Sequence, residues 1–75
     1  MKLSYIEDLI DDHGQITLGY MSPVGCVAIA NDESNSLAML KQRPGESLQQ
    51  LLERLDCAIA SAVEDGEYLD EINPH

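Results

Sequence analysis

Apolar residues recur at helical spacing along one stretch in the second half of the chain. Leu48, Leu51, Leu52, Leu55, Ala58, Ile59, Ala62 and Val63 gather on one face when successive residues are turned by about 100°. Pro44 and Gly45 mark a turn just before it. Ser47 and Gln50 then form an S-x-x-Q capping box, and Gly66 stands where a glycine commonly ends a helix. These signals predict a helix over about 48 to 64, with Ser47 as its N-cap. Leu51, Leu55 and Ile59 should be buried, whereas Glu53, Cys57, Ala60, Ser61 and Glu64 should project away.

The period falls to two in the middle of the chain. From Gln15 to Tyr20, Ile16, Leu18 and Tyr20 share one side, and Thr17 and Gly19 the other. Ser22-Pro23 is a turn signal, and Val24 to Ala30 reads as a second strand. Asn31 to Ser36 is loop chemistry, and Leu37 to Gln42 reads as a third strand. The six-residue polar loop makes the last two strands an antiparallel hairpin. In the second strand, Val27 and Ile29 are the bulkier pair and are expected to face the long helix. Cys26, Ala28 and Ala30 would then point the other way, to be covered by the N-terminal segment or by a second chain. Ser4 and Glu7 form a further S-x-x-E box, and Gly14 could end a short helix carrying Tyr5, Ile6, Leu9 and Ile10. An extended start fits the same residues. The tail, from Glu67 to His75, reads as a short turn or strap.

The expected fold is therefore α+β, as a single domain over 1–75. A small three-stranded antiparallel sheet carries one long amphipathic helix on one face, with a short N-terminal helix or extended segment. A chain of 75 residues buries only about 60% of its unfolded surface, so one core must be used efficiently. With three Tyr and no Phe or Trp, that core must be aliphatic. No apolar run approaches the roughly 20 residues that span a bilayer. The start reaches acidic residues by position 7 and lacks the long apolar region of a signal peptide. A cytoplasmic protein is expected.

Charge changes the picture most. Fourteen Asp and Glu against four Lys and Arg give a net charge of −10. Such a surface repels phosphate backbones and anionic membranes and favours a basic protein partner. The expected contacts are Glu53, Glu64, Asp65 and Glu67 on the long helix and its end, with Asp11 and Asp12 as a second patch.

Catalytic chemistry has little to build on. Cys26 and Cys57 lack zinc spacing and read as free thiols. Asp11, Asp12 and His13 could contribute metal ligands, but the only other histidine is His75. The Asn31–Asn35 loop lacks the glycine and glutamate of a calcium loop. No nucleotide-binding or nucleophile motif occurs. The expectation is a non-enzyme without metal or cofactor, binding no nucleic acid or membrane directly and able to form a homodimer.

Two short stretches carry a likeness. Gly45-Glu46-Ser47-Leu48, with the amphipathic helix behind it, resembles the helical part of HicB-like antitoxins. The Pro23-Val24-Gly25-Cys26 turn resembles the Pro-Gly-Cys turn of that family. The chain departs from the family in placing a whole extra hairpin between Cys26 and the helix, and in carrying no added DNA-binding region. The resemblance covers under half of the chain and transfers no site residue. Two functions therefore stand side by side, with a metal-dependent enzyme behind them as a third. One is a small inhibitor or adaptor of the phage or plasmid type that binds a basic protein surface. The other is an antitoxin-like or regulatory subunit that neutralises a toxin.

Overall fold

The computed structural model of the chain describes residues 2–73. Their order is α1 (Ser4–Asp11), β1 (Gln15–Met21), β2 (Gly25–Asn31), β3 (Ser36–Lys41), α2 (Leu48–Asp65) and β4 (Leu69–Asp70). The class is α+β, but the sheet has four strands in the order β1-β2-β3-β4. The first three pair antiparallel, and β4 pairs parallel to β3. The expected three-stranded antiparallel sheet is corrected on this point. The tail after α2 returns beside β3, so α2 is the crossover that a parallel pair requires. Only Leu69 and Asp70 form the strand, too few to show a period of two.

Helix α2 forms where the apolar stripe places it. The Ser47 hydroxyl accepts from the Gln50 N–H at 3.1 Å, and the Gln50 side chain accepts from the Ser47 N–H at 2.8 Å. The helix closes on Gly66 at φ 70°, a left-handed conformation that costs glycine little. Leu51, Leu55 and Ile59 are buried as expected. The stripe frays at its ends, where Leu48 and Val63 are exposed.

The face of β2 is the main correction. Cys26, Ala28 and Ala30 lie toward the helices, in one cluster with Ala38, Leu40, Leu51, Leu55, Ala58 and Ile59. The register carries this parity across the sheet, because Leu18 and Leu40 flank Ala28, and Ile16 and Ala38 flank Ala30. Val27 and Ile29 therefore turn to the far face, beside Thr17, Gly19, Met39 and Lys41. The physical reason is volume. The leucines and isoleucine of α2 fill the space between helix and sheet, so Ala28, Ala30 and Ala38 beneath them must be small.

Helix α1 is formed, and it packs beside α2 on the same face of the sheet through Ile6 and Leu9. It does not cover the other face as the sequence suggested. Its N-cap is Leu3, which offers no side-chain bond, and Ser4 is the first helical residue. The cap comes instead from α2. Asp56 Oδ1 accepts from the Tyr5 N–H at 2.9 Å and from the Ile6 N–H at 3.0 Å. A carboxylate at a helix N-terminus satisfies unpaired donors and opposes the positive end of the dipole. Replacing Asp56 by Ala should therefore cost about 0.5–2 kcal/mol, as loss of an N-cap does. Amide exchange at Tyr5 and Ile6 should rise more than exchange in the body of α2. Equal protection in both proteins would show that Asp56 does not hold α1. At the other end, α1 runs into Gly14, where an added Cβ would lie 2.8 Å from the Leu9 carbonyl oxygen. Only glycine lets the chain turn that closely into β1.

Candidate functional site

Helices α1 and α2 leave a groove of about 210 Å³ between them. Tyr5, Asp8, Leu9 and Asp12 line one side, and Ile59 and Val63 the other. Residues 5, 8, 9 and 12 share one face of α1 because they are three and four apart. Leu9 and Ile59 are buried in the floor, whereas Val63 is 63% exposed. The result is an apolar groove edged by carboxylates. The Tyr5 hydroxyl donates to Glu64 Oε2 and ties the two helices together across one end. That contact raises the Tyr5 pKa, because Glu64 holds the proton on the phenol.

The acidic edge continues beyond the groove. Asp12 also borders an open hollow with His13, Asp32, Glu33 and Ser34. His13 sits at φ 67° and places its Nδ1 3.7 Å from Glu33 Oε1. The hairpin geometry explains the meeting. Gln15 pairs with Asn31, so two residues further on His13 comes level with Glu33. Asp32 folds the loop on itself, accepting from the Asn35 N–H at 2.6 Å and the Ser34 N–H at 2.8 Å. Those N–H bonds hold its carboxyl below the ordinary range. Among the described residues, no Lys or Arg forms an ion pair with Asp8, Asp11, Asp12, Asp32 or Glu33.

All six carboxylates singled out in the sequence are exposed, at different places. Asp11 and Asp12 end α1 beside the groove. Glu64 reaches the groove through Tyr5, Asp65 ends α2, and Glu67 lies past Gly66. Glu53 stands apart, on a cleft near β4 with Arg43, Arg54 and Glu71. Sequence reading missed Asp8, Asp32 and Glu33. The spacing of Asp8 and Asp12 could have revealed the first. The other two needed the pairing of β1 with β2.

The two cysteines are free thiols. Cys26 packs against the core, and Cys57 is exposed on α2. Among the described residues, no group of three or more His, Cys, Asp or Glu is placed to hold a metal ion. His75, the second histidine of that reading, lies outside the described residues. Among the described residues no helix is long and apolar enough to cross a membrane.

No protein-family model matches the chain, and no curated protein or solved structure matches it either.

Proposed function

We propose that the chain is a non-catalytic binding protein that takes a basic, amphipathic segment of a partner protein into the groove between α1 and α2. The observation that carries this reading is the exposed Val63, set over the Leu9 and Ile59 floor and faced by Asp8 and Asp12. An apolar side chain of the partner would sit on Val63 and Leu9. Lys or Arg side chains on either side of it would meet Asp8, Asp12 and Glu64, with Asp11, Asp32 and Glu33 adding attraction at longer range. In this role the chain acts as an inhibitor or adaptor of the phage or plasmid type, inside the cell, without metal or cofactor. The likeness of the Pro23–Cys26 turn and the Gly45–Leu48 segment to HicB-like antitoxins favours a second reading. In that reading the basic partner is a toxin.

A titration with a helical peptide that carries Leu on one face and Lys and Arg on the other tests the groove. Amide shifts in the nuclear magnetic resonance spectrum should concentrate at Leu9, Asp12, Ile59 and Val63. The double variant Asp8→Lys, Asp12→Lys should weaken binding by about tenfold or more, and rising salt should weaken the wild type in the same direction. Shifts spread evenly over the surface, or an affinity indifferent to salt and to both substitutions, would overturn the proposal.

A further inference from the structure

The two edges of the sheet are built very differently. The β4 edge is two residues long, and Glu67, Asp70 and Glu71 surround it. Short length and charge are the usual means by which an edge is kept from pairing with another chain. The β1 edge has neither. It runs for seven residues, Gln15–Met21, without a proline or a charge. Indeed the 18 residues from Gly14 to Asn31 contain none of the chain's Asp, Glu, Lys or Arg. In a protein of net charge −10, that gap covers β1, β2 and the turn between them.

Among the described residues, β2 is the only strand that pairs with β1. Among the same residues, no hydrogen bond from a loop, helix or side chain reaches its outer edge. Apolar side chains accompany these open backbone groups. Leu18 is 42% exposed and Tyr20 is 78% exposed, both on the helix side of the sheet. An uncharged strand with open donors and acceptors and exposed apolar neighbours has the features of a pairing edge.

We propose that β1 pairs antiparallel with β1 of a second copy of this chain, about a two-fold axis at Leu18, to make one continuous eight-stranded sheet. The sequence of the strand fits itself in that register. Leu18 meets Leu18 of the second copy on the axis. Ile16 meets Tyr20 of the second copy, a β-branched and aromatic pair of the kind that stabilises neighbouring strands. Thr17 meets Gly19 of the second copy on the far face. The charges also fall well. Antiparallel pairing brings Asp12, which precedes β1, level with the neutral Pro23–Val24 turn of the second copy. A parallel arrangement would set the two Asp11–Asp12 pairs side by side. The interface repeats one surface patch on both copies, as a two-fold dimer requires.

Salt separates this surface from the groove. Two bodies of net charge −10 repel, so screening should strengthen the pairing, whereas it weakens capture of a basic segment. Sedimentation of the chain under reducing conditions, which keep the exposed Cys57 from linking copies, reads the mass directly. The expected species at millimolar concentration and high salt has twice the 8.2-kDa mass of one chain. Leu18→Glu places two carboxylates opposite each other at the axis and should return the mass to that of one chain. Leu69→Glu, on the other edge, should leave the dimer intact. Thermal unfolding checks that each variant folds, and Tyr20→Glu, at a more exposed position of the same strand, serves if Leu18→Glu does not. A single-chain mass for the wild type under these conditions would overturn the proposal. So would a dimer that survives both β1 substitutions, or one that Leu69→Glu dissolves equally.

Discussion

Replacing Leu55 by Ala should cost about 2–5 kcal/mol, a large part of the stability of so small a domain. Leu55 is fully buried, in one cluster with Ala28, Ala30, Leu40, Leu51 and Ile59. The substitution forfeits the transfer of three carbons from water and opens a cavity. The surrounding alanines are too short to refill it, and the backbone of a paired sheet yields little. The measurement is chemical unfolding, with the midpoint falling and the slope unchanged. Val63→Ala, on the same helix but exposed, should shift the midpoint far less. Equal effects at the two positions would show that α2 does not rest on the sheet along the Leu51–Leu55–Ile59 line.

The same helix shows what could be read from the chain alone. Its cap, its glycine stop and its buried face are local properties, set by residues within a few turns of one another. The parity of β2 is not local. Choosing Val27 and Ile29 as the pair that faces the helix treated bulk as a sign of that face, although Val27 is buried on the other one. Under a helix that supplies Leu51, Leu55 and Ile59, the strand must supply the small partners, so Ala28 and Ala30 occupy the core. Helix α1 was ambiguous for a related reason, because the group that caps it, Asp56, lies some 50 residues away in sequence. Strand β4 is held by its pairing with β3 and by the bond from Arg54 to Glu71 just past it, with no pattern of its own. The acidic residues were legible as a composition and as candidates. Their arrangement was not, since Asp12 and Glu33 border one hollow only once β1 has paired with β2, and Asp8 and Asp12 edge a groove only once α1 has settled against α2.

Arg54→Ala should cost about 1.5–3 kcal/mol, the scale of hydrogen bonds made by a charged group. Arg54 stands on α2 where three separate segments converge. Its Nε donates to Glu46 Oε2 at 2.7 Å and its Nη2 to Glu46 Oε1 at 3.0 Å, a two-pronged grip. Nη1 donates to Glu71 Oε2 at 2.9 Å, and Nη2 also reaches the Lys41 carbonyl at 2.9 Å. Glu71 in turn accepts from the Lys41 N–H, and Glu46 from the Arg43 N–H. One guanidinium thus fastens the end of β3, the turn before α2 and the residue after β4. A lysine cannot reproduce the fork, so Arg54→Lys should recover only part of the loss. The pH dependence identifies the cause. The Arg54 guanidinium, helped by the Arg43 N–H, holds the Glu46 carboxyl at about 2, below its ordinary 4.5. The folded pKa is the lower one, so this contribution is fully present above pH 4.5 and is lost as pH falls from there toward 2. In Arg54→Ala most of that contribution is already gone. The difference in stability between wild type and variant should therefore be largest at neutral pH and should narrow steadily through this window. Asp32 draws its lowered pKa from the Asn35 and Ser34 N–H groups, so its share of the acid sensitivity should remain in both proteins. A difference that stays constant from pH 7 to pH 2 would assign the role of Arg54 to the packing of its stem alone, and not to its hold on Glu46.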